Sequence, residues 1–239
     1  EREMPLAAQP AREDLSRWLA ERETMWNDLE EDSYGTLPLG ARNYEAFDAQ
    51  ALNRELAADG MVYGAGYGLL QRPHFFLAQL ERDEKRGGIR VLVAGREFAR
   101  DLAAAPAALQ DGTIYVRRDA LRRWLWEKVE FWQTRKGEGA LQRALAAWDL
   151  EAGGEAALER MVEAETETMV LHELGEARAA EMLGPAWEDM LGAAADRRAE
   201  LLARAVRDHL ADCLSTLPVL LERDARASIH FHFSQMDGM

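Results

Sequence analysis

The sequence predicts an α+β fold that is predominantly helical, with a small antiparallel β-sheet in the first half and a bundle-like helical part towards the C-terminus. Over most of the chain, apolar residues recur three and four positions apart, which is the period of amphipathic helices. Between residues 61 and 116 the pattern changes to short runs of β-branched and aromatic residues interrupted by glycines, which is typical of strands and turns. We therefore expect two regions, residues 1–118 with the first helices and the sheet, and residues 119–239, which carry a helical site.

The first 60 residues predict two helices separated by a loop. Residues 11–31 carry an apolar stripe at three-and-four spacing, and Trp18 within it is expected to anchor the helix in the core. Two glycines and a proline predict a loop at residues 32–43. A second helix is predicted at residues 44–59, because a glycine follows it directly.

The predicted sheet begins with residues 61–68 (MVYGAGYG) and 75–80. Residues 77–94 have the pattern of a hairpin with a Gly-Gly turn, and residues 113–116 form a further short strand after an Asp-Gly pair. The closely spaced glycines of the first strand are followed by neither a lysine nor a helix start, which phosphate-binding loops require. We therefore interpret them as turns or bulges in an antiparallel sheet.

From residue 119 to residue 216 the chain is expected to be helical, with breaks at two glycine-containing pairs and a stop before Pro218. The predicted helices cover residues 119–136, 140–150, 155–183, 186–191 and 196–216. Residues 228–233 then alternate strictly between apolar side chains and histidine. That alternation predicts a strand with His230 and His232 on one side.

The helix predicted at residues 155–183 carries ionisable side chains within its apolar stripe. At about 100° per residue, Glu165, His172 and Glu176 fall within roughly 60° of one line along the helix, together with several leucines and methionines. An unpaired buried charge costs several kcal/mol unless it is neutralised, paired or bound to a metal. The sequence therefore predicts a polar site inside the helical core.

A second helix contributes to the same predicted site. His209 lies in the apolar stripe of residues 196–216, and Asp212 lies one turn further on, at its edge. Helices joined by a short connection tend to pack antiparallel, so His172, Glu176, His209 and Asp212 are expected to converge, with the two imidazoles within about 8 Å. With Glu165, these four residues are the candidate metal ligands.

Two kinds of metal chemistry are compatible with these five candidate ligands. Three carboxylates and two imidazoles suit iron or manganese, which predicts a redox or oxygen-using site. The string His172-Glu173-Leu174-Gly175-Glu176 resembles, in its first two positions, the HExxH helix of zinc metallopeptidases, although Glu176 stands in place of the second histidine. The resemblance implies a zinc hydrolase with a variant HExxE helix, in which His172 binds the metal and Glu173 is the general base.

A third interpretation needs no metal. The protein would then be an interaction or scaffolding module in which His172 and His209 are satisfied core histidines. Its buried carboxylates would pair with arginines such as Arg178, Arg197 or Arg204.

Composition limits the partners. The 43 acidic residues outnumber the 29 lysines and arginines, giving a formal charge of -14 that repels phosphate backbones and anionic lipids. The arginines among residues 117–123 are expected to pair with carboxylates. No run of 18 apolar residues predicts a membrane span, and one cysteine without a signal-like start favours the cytoplasm. The sequence leaves open a small-molecule substrate, a protein partner or a homo-oligomer.

Overall fold

The structure, a computed structural model, describes residues 9–29, 35–67, 73–101, 105–135, 137–192 and 197–236. Its elements confirm the predicted class, an α+β fold in which helices predominate. Backbone contacts divide the chain into two units, Glu1–Leu52 and Asn53–Met239. The functional division at residue 118 stays a prediction.

The first unit contains α1 (Arg12–Leu29) and a hairpin of two antiparallel strands, β1 (Thr36–Leu39) and β2 (Arg42–Glu45). This hairpin corrects the loop predicted at residues 32–43, of which residues 32–34 lie outside the described part of the chain. Gly40 has a φ of 60° and allows the tight turn. Strands of four residues are too short for their alternation to be recognised in the sequence.

The second helix begins later than predicted. It is α2 (Ala49–Leu56), followed by a 3₁₀ turn at Ala57–Asp59. Asp48 fixes the start, because its carboxylate accepts a hydrogen bond of 2.9 Å from the backbone N–H of Ala51. The glycine that follows the 3₁₀ turn has a left-handed φ and ends the segment as predicted.

The second unit contains a five-stranded sheet in the order β3-β4-β5-β7-β6. Its strands are β3 (Met61–Tyr67), β4 (Pro73–Arg86), β5 (Ile89–Arg100), β6 (Ala107–Gln110) and β7 (Thr113–Arg117). Strands β4 and β5 form the predicted hairpin, and the turn residues Gly87 and Gly88 both have positive φ. The predicted strands are thereby confirmed in place.

One strand pairing corrects the predicted antiparallel sheet. Strand β7 lies between β5 and β6, and it pairs parallel with β5 and antiparallel with β6. The sheet is therefore mixed. The sequence of a short strand does not indicate which strand it pairs with. All five residues of β7 are buried, and a central position in the sheet, between β5 and β6, provides this burial.

Helix α5 (Leu150–Leu183) covers one face of this sheet. Along β5, Val91 and Val93 point to the face on which Val170 and Leu174 of α5 pack, whereas Leu92 belongs to a separate cluster on the other face. This alternation is the period of two that strands impose on their side chains. The sheet thus buries one side of the helix that carries the predicted site.

The helices of the second unit follow the sheet. They are α3 (Arg118–Arg135), α4 (Ala140–Ala147), α5 (Leu150–Leu183), α6 (Pro185–Gly192), α7 (Arg197–Ala211), a π-helical turn (Asp212–Thr216), α8 (Leu217–Glu222) and α9 (Arg226–Ser234). The predicted break before α5 is a kink within it, where Gly154 has non-helical backbone angles. None of the described helices combines the length and the apolar character needed to cross a bilayer.

The strand predicted at residues 228–233 is wrong, because that segment lies in α9. Its buried residues, Ser228 and Phe231, are three positions apart, which is a helical spacing. The Phe231 ring packs edge-on against Trp124 of α3, with 5.5 Å between ring centroids. Packing on neighbouring helices therefore overrides a six-residue alternation that by itself favours a strand.

The predicted stop before Pro218 is also wrong, since α7 runs through the π-helical turn into α8. Pro218 has no backbone N–H to donate to the preceding turn of an α-helix. The preceding turn is a wider π-helical turn, and the helix continues through the proline. The additional residue in this turn rotates the buried face. Leu202 and Val206, before this turn, are each 60% exposed, whereas Thr216 and Leu220, at its end and after it, are buried.

The arginines among residues 117–123 pair with carboxylates, as predicted. Arg118 and Arg122 both contact Glu159 of α5, at 2.7 and 2.8 Å. Arg117 and Arg123 contact the two oxygens of the buried Glu97, at 2.7 and 2.8 Å. These contacts tie α3 to α5 and to the sheet.

Candidate functional site

Helices α5 and α7 approach each other closely at Gly175 of α5 and Ala211 of α7. A Cβ atom on this glycine would lie 2.3 Å from the carbonyl oxygen of Ala211, far inside van der Waals contact. A glycine within a helix costs about 1 kcal/mol relative to alanine, so its presence needs a packing reason, and the close crossing supplies one. Sequence reasoning passed over Gly175, although a helical glycine is the signal by which it could have been found.

His172 lies at the centre of a charged network that crosses this contact. Its Nδ1 donates to Oδ1 of Asp212 at 2.8 Å, and its Nε2 lies 3.6 Å from Oε1 of Glu176. Burial alone would lower the pKa of His172, but the interactions with Asp212 and Glu176 outweigh burial and raise it to about 10. The imidazole is therefore a cation at neutral pH, with a carboxylate at each nitrogen.

Arg207 extends the network from Glu176. Its guanidinium donates to Oε1 of Glu176 and to Oδ1 of Asp208, both at 3.1 Å. Burial acts to raise the pKa of Glu176, but His172 and Arg207 outweigh it and hold that pKa below its ordinary value. Glu176 is thus ionised and paired.

The arginine partners differ from those predicted. Arg178 donates to the backbone carbonyl of Leu214 at 3.1 Å, and Arg204 pairs with Glu200 on its own helix. The side chain of Arg197 lies outside the described residues. Arg207 takes the predicted role because its position on α7 faces α5.

Asp212 also faces a second histidine, His232 of α9. Its Oδ2 lies 3.9 Å from Nε2 of His232, which is longer than a hydrogen bond. Among the described residues, this buried Nε2 has no hydrogen-bond partner. The π-helical turn therefore presents Asp212 to two histidines, and only His172 is close enough to bond.

His209 lies one turn before Asp212 on an exposed part of α7. Burial lowers the pKa of His232, and the charges of His172 and His209 lower it further, so His209 is an electrostatic neighbour of His232. The predicted approach of His172 and His209 stays a prediction. Leu202 and Val206, which lie on the same side of α7 as His209, also face solvent.

Glu165 stands apart from the network. It lies seven residues before His172, which is about 10 Å along a helix. The side chain is fully buried, and neither carboxyl oxygen has a hydrogen-bond partner among the described residues. Burial raises the pKa of Glu165 to about 7, and the nearby hydroxyls of Ser228 and Thr168 offset this effect only in part.

Glu173, the predicted general base, faces the sheet. It is buried, and the backbone N–H of Leu109 in β6 favours its charged form. Burial nevertheless raises its pKa to about 7, and repulsion from Glu176 adds to this rise. Glu173 is therefore a weaker acid than an exposed glutamate.

The predicted residues do not form one ligand set as they are placed. No three histidine, cysteine, aspartate or glutamate side chains converge closely enough to hold a metal ion within the part of the chain that the structure describes. A cleft of about 280 Å³ opens between α3 and α4, where Trp132, Gln142 and Asp149 are among its lining residues. None of the candidate ligands lines this cleft.

Two family models match the chain. One is the N-terminal domain of a family of unknown function (DUF6866), matched by residues 1–117, and the other is the C-terminal domain of the same family, matched by residues 122–239. The chain belongs to this family. No curated protein and no solved structure matches it.

The first helix of this DUF6866 chain offers a second candidate surface. Every described side chain of α1 is at least partly exposed, including Trp18, which was predicted to anchor the core and is 49% exposed. Leu15, Leu19 and Met25 share its stripe and are 45%, 52% and 36% exposed. An isolated helix of this length is marginal in water, so packing against another surface is the usual source of its stability.

Proposed function

We propose that this protein is an interaction protein that docks through α1 and that uses the His172 network to hold its helices together. The exposure of the apolar stripe on α1 carries the proposal. Leu15, Trp18, Leu19 and Met25 recur at three-and-four spacing, which is the pattern of anchors that a helix places in an apolar groove. Tryptophan is among the residues that contribute most to such interfaces.

The charge of α1 indicates the kind of partner. Arg12–Leu29 contains five acidic residues and three arginines, an excess of two negative charges in a chain of formal charge -14. A second copy of so acidic a chain would be repelled. The proposed partner is therefore a protein with an apolar groove and a basic rim.

The paired state of the His172 network supports a structural role for it. Both ring nitrogens of His172 face carboxylates, and the carboxylate of Glu176 also accepts from Arg207. Each charge in this half-buried cluster has a partner of opposite sign, which is the arrangement that makes burial tolerable. The network joins α5, α7 and the π-helical turn.

The stripe can be tested without knowing the partner. Replacing Trp18 and Leu19 together by alanine removes side chains that are about half exposed, so we expect the free energy of unfolding to change by less than about 1 kcal/mol. Urea denaturation followed by circular dichroism measures this. A loss of 3 kcal/mol or more would show that the stripe already packs within the protein, and the proposal would then fail.

Site-specific photocrosslinking in cells tests the docking itself. A photoreactive amino acid at Leu19 is expected to capture a discrete partner with a basic-rimmed groove, and Trp18→Ala in the same chain should abolish capture. The matched control places the probe at Ala20, an exposed position about 100° further round the helix. Equal capture from Leu19 and Ala20, or an acidic partner surface, would contradict the proposal.

The second candidate is a metal-dependent enzyme. It would be either an iron or manganese redox enzyme or a zinc hydrolase. It is favoured by the buried Nε2 of His232, which has no partner among the described residues and faces Asp212. Elemental analysis of protein purified without added metal tests this candidate. Less than about 0.1 ion of iron, manganese or zinc per chain would count against both chemistries.

A further inference from the structure

We infer that Asp212, His232 and His209 form a site for a divalent transition-metal ion, in which His172 positions Asp212. This inference concerns the helices of the second unit and does not depend on docking through α1. It differs from the ligand set predicted from the sequence, because His232 replaces His172 as a ligand and Glu165 and Glu176 take no part.

The two oxygens of Asp212 have different surroundings. Oδ1 accepts a hydrogen bond from His172, whereas Oδ2 faces Nε2 of His232 at 3.9 Å. Ligand bonds of about 2.1 Å place two ligands of a tetrahedral ion about 3.4 Å apart. A side-chain movement of about half an ångström therefore brings both atoms to one metal ion.

His172 fits the role of a positioning residue. Carboxylates that bind metals are themselves usually hydrogen-bonded, which fixes their orientation. The 2.8 Å bond from His172 Nδ1 holds one oxygen of Asp212 and leaves the other directed at His232. The π-helical turn contributes as well, since Asp212 is its first residue and such turns often occur at functional sites.

His209 supplies the third ligand by a side-chain rotation. It lies one helical turn before Asp212 and is exposed, so changing its rotamer sacrifices little packing. Among the described residues, no three histidine, cysteine, aspartate or glutamate side chains are close enough to bind one metal ion as they are placed. The site therefore requires the side chain of His209 to rotate.

The donor types define the class of ion. Two imidazoles and one carboxylate suit zinc, iron(II), cobalt(II) or nickel(II), whereas magnesium and calcium prefer sites made of oxygen ligands alone. Cobalt(II) is the best probe because its visible absorption reports the geometry of its ligands. Binding is therefore measurable without knowing any reaction.

The test is a cobalt(II) titration of the full-length chain after treatment with a chelator. We expect one ion per chain, a Kd below about 10 µM and a visible spectrum typical of four or five ligands. His232→Ala and His209→Ala should each weaken binding about 100-fold or more. His172→Gln should weaken it about 10- to 100-fold and alter the spectrum, which a residue with only a structural role would not do.

The control is His230→Ala, on the same helix two residues from His232, which should bind like the wild type. Because His209 is exposed, its replacement leaves the fold intact and keeps the test valid even if His232→Ala is unstable. The absence of stoichiometric binding would overturn the inference. The same conclusion would follow if His209→Ala bound like the wild type, or if His230→Ala weakened binding as much as His232→Ala.

Discussion

The buried carboxyl group of Glu165 makes the stability of this protein depend on pH in a defined direction. Its pKa is raised by burial from 4.5 to about 7, so the folded state holds a proton that the unfolded state releases at lower pH. Stability is therefore lost as the pH rises from about 4.5 to about 7 and stays lower above that range. The full difference corresponds to about 3 kcal/mol.

Glu165→Gln removes this loss, because glutamine has the same shape and cannot ionise. We expect the variant and the wild type to have similar free energies of unfolding at pH 4.5. At pH 8.5 the variant should be more stable by about 3 kcal/mol. Glu173 also has a raised pKa, but it titrates in both proteins and cancels in the difference between them.

Urea denaturation at a series of pH values between 4.5 and 8.5 measures the effect. The matched control is Glu181→Gln, at an exposed position on the same helix, for which the difference from the wild type should not vary with pH. A difference for Glu165→Gln that is independent of pH would refute the reasoning. It would mean that the carboxyl group is ionised in the folded protein with a partner that offsets its burial.

Three further substitutions test the packing around the site, each by urea denaturation. Gly175→Ala places a Cβ 2.3 Å from the carbonyl oxygen of Ala211, and we expect a loss of about 2–3 kcal/mol; an unchanged midpoint would mean that the helices cross further apart. Phe231→Ala removes a ring that is 2% exposed and packs against Trp124, with an expected loss of about 3–5 kcal/mol, whereas a loss below about 1 kcal/mol would contradict a docked α9. His172→Ala removes the bonded partner of Asp212 and leaves Glu176 with Arg207 alone, so we expect a loss of about 2 kcal/mol at pH 7, and a more stable variant would show that these charges do not stabilise the fold.

The local elements were largely predictable from the sequence. Helix α5 carries a long apolar stripe at helical spacing, and the β4–β5 hairpin has a Gly-Gly turn that positive φ angles require. Such signals are local, since they depend on residues within one or two turns of each other. They identify elements but not the neighbours of those elements.

Only some residues of the candidate site lie where local sequence patterns predict them. His172, Glu176 and Asp212 lie together, as expected from two stripes on adjacent helices. His209 faces solvent instead, on the same exposed side of α7 as Leu202 and Val206, and the π-helical turn that begins at Asp212 brings the later residues of the chain to a different side. One additional residue in a turn shifts every later side chain by about 100°, and no sequence pattern marks where it occurs.

By itself, the sequence determined most of the helices, the strands β3, β4, β5 and β7, the acidic charge and the presence of ionisable groups in an apolar stripe, since each of these follows from composition and short-range spacing. Only the tertiary structure decided that β7 inserts parallel to β5, that residues 228–233 are helical and that Arg207 is the partner of Glu176. These features depend on which surfaces can be buried against each other. Burial is a property of the assembled chain, so residues far apart in the sequence settle it together.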